Sequence, residues 1–119
     1  MSADTRTVLI VDDDPQVLRL MEKMLRPHNV NLLVAPQPAE ALAIADRQPV
    51  HLLITDVSMP EMDGYKLAER ILKTHPEARV LLISGVHKEP PAGARNGSVR
   101  FLKKPFFPSQ LIECLKELL

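Results

Sequence analysis

Apolar residues fall into short runs along this chain, and each run gives way to a polar turn and then to a stretch with helical spacing. Five runs read as strands: Thr7 to Val11, Asn31 to Ala35, His51 to Thr55, Arg79 to Ser84 and Val99 to Lys103. The first, third and fourth are near-continuous Val, Leu and Ile, as central parallel strands covered on both faces require. Between them, Val17, Leu18, Met21, Met24 and Leu25 recur at helical spacing, as do Leu67, Ala68, Ile71 and Leu72. Pro38 to Asp46 is an Ala-rich helix with Pro38 in its first turn, and Ser109 to Leu118 repeats Leu111, Ile112, Leu115 and Leu118. These stripes read as core packing. The alternation as a whole predicts an α/β fold. The pattern breaks once: residues 87 to 98 read HKEPPAGARNGS, where two prolines and two glycines oppose a crossover helix. A loop, or at most one or two helical turns, is expected there.

Length and balance narrow the class. The chain has 119 residues, 45% of them hydrophobic and 25% charged, which suits one domain with one core and no need of disulfides. The single Cys114 fits a reducing cytoplasm. No apolar run is long enough to cross a bilayer, and residues 1 to 7 carry no signal core. Lys plus Arg equals Asp plus Glu, 15 against 15, so no basic field exists to hold nucleic acid by counterion release. The expectation is a soluble cytoplasmic protein, without membrane attachment or direct nucleic-acid binding.

In an open parallel sheet, ligands bind beyond the carboxyl ends of the strands. The first run ends in Asp12, Asp13 and Asp14, the third in Asp56, the fourth in Ser84 and the fifth in Lys103 and Lys104. Carboxylates, a hydroxyl and an ammonium are thus delivered to one edge. Asp14 before Pro15 reads as a helix N-cap, which leaves Asp12 and Asp13 as adjacent carboxylates whose repulsion calls for a hard divalent cation, Mg²⁺ or Mn²⁺. Asp56 ends a buried apolar run, where a carboxylate is costly unless paired, coordinated or chemically needed. It can serve as nucleophile and metal ligand together, or simply cap the turn before Met59 and Pro60. Ser84 alone reads as an ordinary small residue at a strand end, and Lys104 alone as a solvated charge. Lys104 precedes Pro105, however, which holds it extended along the strand edge, where it can compensate an acidic pocket.

In order and at fitting spacing, the segments VLIVDDDP, LLITDVSMPEMDG, LLISG and FLKKPF resemble the signature segments of the receiver domain of bacterial response regulators. The resemblance spans nearly the whole chain, so residues 1 to 119 are expected to form one receiver domain and no output domain. It implies a flavodoxin-like, doubly wound five-stranded parallel sheet of order 2-1-3-4-5, here with a weak or missing fourth helix. By the same resemblance Asp56 is the phosphoacceptor, Asp12 and Asp13 organise Mg²⁺ with Asp56, and the backbone carbonyl of Ser58 is a further metal ligand. Ser84 and Lys104 bind the phosphoryl group, Phe101 is the aromatic switch with Ser84, and the Lys104–Pro105 bond is cis. Ser58 and Val86, two residues beyond Asp56 and Ser84, are expected to govern water access to the phosphoryl group.

The implied function is phosphotransfer from a phosphohistidine of a sensor histidine kinase or phosphotransfer domain, followed by a conformational signal to an output protein or domain. Self-catalysed transfer and dephosphorylation belong to switching, so the chain is not expected to be a metabolic enzyme. A haloacid-dehalogenase-type phosphatase would place two acids two residues apart after the first strand, which DDDP does not match. A flavin or nucleotide binder would need a glycine-rich phosphate loop. A receiver-like interaction module that works without phosphorylation is the remaining alternative. The weak fourth helix leaves the usual dimer face, and so the oligomeric state, open.

Overall fold

A computed structural model describes residues 5–84, 91, 93–95 and 97–119. Five parallel strands, β1 (Thr7–Val11), β2 (Asn31–Ala35), β3 (Leu52–Asp56), β4 (Arg79–Ser84) and β5 (Val99–Lys103), form one sheet in the order β2-β1-β3-β4-β5. Four α-helices accompany them among the described residues: α1 (Pro15–Leu25), α2 (Pro38–Arg47), α3 (Gly64–Thr74) and α4 (Pro108–Leu118). This is the flavodoxin-like arrangement with the expected strand order.

The hydrophobic pattern explains the layering. Side chains alternate across a strand, so the central strands must be apolar at every position if both faces are covered. β1 and β3 are buried throughout, whereas the edge strands β2 and β5 are partly exposed. Leu9, Val11, Leu53, Val80 and Leu82 face a core closed by Ala41 and Ala45 of α2 and by Leu67, Ala68, Ile71 and Leu72 of α3. On the other side, Val8, Ile10, Ile54, Leu81 and Ile83 meet Leu18, Met21 and Leu25 of α1 with Leu111, Leu115 and Leu118 of α4.

The third strand lies one residue later than the pattern suggested. The ladder carries Asp56 into register with Ile83, and the Val57 N–H continues to the Ile83 carbonyl at 3.0 Å. At the other end, His51 precedes the strand: its N–H donates to the Thr7 carbonyl at 2.9 Å, its carbonyl accepts the Arg79 N–H at 2.9 Å, and its ring Nδ1 accepts the Thr7 N–H at 2.8 Å. The helices begin and end where caps allow. Asp14 caps α1 by accepting the Gln16 N–H at 2.9 Å, with Pro15 at the first helical position where no N–H is needed. Asp14→Ala is expected to lower stability by about 1 kcal/mol in urea unfolding, because it orphans that donor. At α4, Phe107 offers no side-chain acceptor, and Gln110 instead reaches back to the Phe107 N–H at 2.7 Å.

Between β4 and β5, none of the described residues 91, 93–95, 97 and 98 is helical. The remainder of the proline- and glycine-rich segment, residues 87–90, 92 and 96, lies outside the described residues, as does Val86. What is described forms turns: Ala94 N–H bonds the Pro91 carbonyl and Ser98 N–H the Arg95 carbonyl, with Gly93 and Gly97 at positive φ.

Candidate functional site

Parallel register brings the acidic residues to one edge. Val11 is paired with Thr55, so Asp12, just beyond β1, and Asp56, the last residue of β3, stand side by side at the carboxyl ends of adjacent strands. Asp12, Asp13 and Asp56 each offer a carboxylate oxygen, and these oxygens lie within 4.8 Å of one another. Asp12 and Asp56 are buried while Asp13 is exposed. From the far side, Lys104 places its Nζ 2.9 Å from Asp56 Oδ1. The Lys104–Pro105 bond is cis, and the Lys104 N–H bonds the Ser84 carbonyl at 3.1 Å, tying the β4 and β5 ends together. Ser84 stands one residue beyond Ile83, the register partner of Asp56, and is half-buried. Ser58 is exposed in the loop that follows β3.

The electrostatics are unbalanced in a particular way. Burial above all lifts the Asp12 carboxyl above the usual 3.8, and the neighbouring charges of Asp56 and Asp13 add to it, against the Asp14 N–H and Lys104. Asp12 Oδ1 accepts that Asp14 N–H at 2.9 Å, but Oδ2 is buried without a hydrogen-bond partner among the described residues. For Lys104, burial alone would lower the pKa. The hydrogen bond to Asp56 and the combined charge of Asp56, Asp12 and Asp13 outweigh it and hold the ammonium above the usual 10.5. Among the described residues, one ammonium thus faces three clustered carboxylates. An orphaned buried oxygen within an all-oxygen donor set is the chemistry that a hard divalent cation satisfies, so these residues fit Mg²⁺ or Mn²⁺.

The strain on Asp12 has a measurable consequence. Between the ordinary aspartate value and its raised native value, the native state binds more protons than the unfolded chain, so stability falls as pH rises through that window. The penalty is complete above it. Without divalent cation at neutral pH, Asp12→Asn is therefore expected to be more stable than the parent by on the order of 1 kcal/mol, the scale of one poorly satisfied buried group. The difference should close as pH falls through the window. Urea midpoints across pH in chelator would read it, and a variant less stable than the parent at neutral pH would contradict it.

Two residues that sequence patterning did not single out shape the site. Gly64 opens α3 directly against the carboxyl end of β3. A Cβ at this position would stand well inside contact distance of the Asp56 carbonyl oxygen and 3.0 Å from Val57 Cα. Its own N–H bonds the Val57 carbonyl at 2.8 Å. Close approach, not a left-handed backbone, requires glycine here; the available signal was a glycine at the first helical position after the Asp63 cap, where other residues favour helix more. Tyr65, next along, places its ring 6.5 Å from the Phe101 ring, tilted by 41°.

Comparison with known proteins agrees with this geometry. Residues 8–116 match the response regulator receiver domain. The chain belongs to the response regulator receiver family. Among curated relatives, an uncharacterised 14.6 kDa protein of Leptolyngbya boryana is 36% identical over 92% of this chain and 87% of its own length. The transcriptional regulatory protein GlrR of Escherichia coli K12 is 33% identical over 100% of this chain, which spans only 27% of GlrR. Among solved structures, the chemotaxis protein CheY4 of Vibrio cholerae superposes with a TM-score of 0.84 at 25% identity, over 97% of this chain and 99% of that one. As a receiver, the chain carries the two-component architecture, and no helix among its described residues is long and apolar enough to cross a membrane.

Proposed function

We propose that this receiver accepts a phosphoryl group on Asp56 in a reaction dependent on a divalent cation, and that the donor is a phosphohistidine of a sensor kinase or phosphotransfer domain. The observation that carries the proposal is Lys104 Nζ at 2.9 Å from Asp56, beside carboxylates of Asp12 and Asp13 within 4.8 Å. Asp12, Asp13 and Asp56, with the Ser58 carbonyl, would hold the cation. When bound, Mg²⁺ or Mn²⁺ neutralises phosphoryl charge and aligns the group with its acceptor.

Asp56 supplies the nucleophile. With Oδ1 engaged by Lys104, a carboxylate oxygen attacks phosphorus; the new P–O bond forms as the bond from phosphorus to the donor nitrogen breaks, and that electron pair leaves with the imidazole. Lys104 then offers its ammonium to a phosphoryl oxygen, and Ser84 its hydroxyl. Water attack on the acyl phosphate returns Asp56 and free phosphate, so the chain turns over its own signal without acting as a metabolic enzyme. Phe101, which has no hydroxyl, responds through burial of its ring as Ser84 moves toward the phosphoryl group. A cytoplasmic setting and an output protein or domain complete the proposal, since GlrR is a transcriptional regulator of which this chain matches only a part.

Intact-protein mass spectrometry after incubation with acetyl phosphate and Mg²⁺ tests it. One phosphoryl group should be gained, and the gain should vanish in chelator. If no adduct forms while Mg²⁺ still binds, the chain is instead an interaction module that works without phosphorylation.

A further inference from the structure

The first turn of α3 touches both ends of the switch. Gly64 lies so close to the Asp56 peptide that a Cβ would collide with it, and the same Asp56 carbonyl accepts the Thr55 hydroxyl at 2.9 Å. One residue later, Tyr65 lies against Phe101, and both rings are half-buried at the edge of the core that α2 and α3 close. The Asp63 cap, through its bond to the Lys66 N–H at 2.8 Å, and the Gly64 N–H bond to Val57 fix this turn at its start. Gly64, packed on the Asp56 peptide, and Tyr65, packed on Phe101, are thus consecutive residues of one turn.

We propose that Tyr65 is the positioning residue for the Phe101 ring, and that the first turn of α3 carries the state of Asp56 to it. The inference rests on Asp56 being the phosphoacceptor and Phe101 the switch. A phenylalanine has no hydroxyl with which to anchor either rotamer, so its balance between inward and outward positions is set by what packs on it. A tilted aromatic partner is worth enough to bias such a balance about two- to tenfold. Tyr65 acts through contact with Phe101 and touches no phosphoryl group.

The composition supplies the readout. The chain contains one tyrosine and no tryptophan, so its tyrosine emission comes from Tyr65. Emission and intact mass are recorded on the same samples of the full chain and of Phe101→Leu, before and after acetyl phosphate with Mg²⁺. The parent emission should change in proportion to the adduct, and phosphorylated Phe101→Leu should lose most of that change. An adduct without any emission change in the parent, or an undiminished change in Phe101→Leu, overturns the inference and leaves the phosphoacceptor assignment standing. Absence of an adduct in the parent overturns both.

A second pair of variants guards against misfolding of Phe101→Leu. Calorimetric titration with beryllofluoride and Mg²⁺ should show about two- to tenfold tighter apparent binding for Tyr65→Ala, because the binding-competent ring position becomes more populated. Tyr65→Phe, which keeps the ring, should restore the parent value. Equal affinity in all three, or failure of Tyr65→Phe to restore it, sinks the proposal.

Discussion

Asp56→Asn is expected to take up no phosphoryl group from acetyl phosphate under conditions that fully label the parent. The amide keeps the size of the carboxylate and an oxygen able to accept from Lys104, but it lacks the anionic oxygen that serves as nucleophile in the proposed reaction. The fold should tolerate the change. Among the described residues, Asp56 is one of three carboxylates that face one ammonium, so removing its charge relieves repulsion with Asp12 and Asp13 while weakening the bond to Lys104. The Lys104 side chain is 41% exposed and can turn to water, which limits the loss to the small value of a partly solvated ion pair. Thermal unfolding should therefore move by no more than a few degrees, about what a loss of 1 kcal/mol or less produces in a domain of this size. The mass shift should disappear. A shift that survives would place the phosphoacceptor elsewhere, with exposed Asp13 the first carboxylate to test.

Gly64→Ala is expected to harm stability and phosphorylation together, although alanine is the better helix former by roughly 1 kcal/mol. The added methyl meets only backbone: the Asp56 carbonyl oxygen inside contact distance, Val57 Cα at 3.0 Å and the Asp56 carbonyl carbon at 3.1 Å. No flexible side chain can yield, so either α3 moves off the sheet or the end of β3 is displaced. Overpacking of this kind costs about 1–3 kcal/mol. Because the displaced peptide belongs to the proposed phosphoacceptor, a shift approaching 1 Å should slow labelling by up to about 10²-fold. Urea unfolding and labelling rate, measured on one preparation, decide the matter. Parent-like values of both would mean that the turn has more room than the structure gives it.

Both predictions bear on how much of this molecule can be read without its coordinates. Local chemistry was legible: the near-continuous apolar runs buried throughout at β1 and β3, the Asp14 cap before Pro15, and the turns at Gly93 and Gly97 all follow from residue type and order. So was the list of polar residues at strand ends, because a buried apolar run that stops at a carboxylate, a hydroxyl or a lysine shows where the sheet edge lies. The shift of β3 by one residue was not legible. His51 and Asp56 can both end a strand on propensity alone, and Asp56 was drawn in by its pairing with Ile83.

The sequence by itself determined the fold class, the strand order through the receiver resemblance, and which side chains reach the carboxyl edge, because hydrophobic periodicity and ordered motifs are local in the chain. The tertiary structure alone decided what those side chains do to one another. The 2.9 Å approach of Lys104 to Asp56, the bare face of Gly64 against the Asp56 carbonyl and the tilted approach of Tyr65 to Phe101 join residues that the chain keeps 48, 8 and 36 positions apart, and Asp12 Oδ2 is left without a partner among the described residues. Distances of that kind depend on strand register and helix packing, and these are settled only when all the elements close on a shared core.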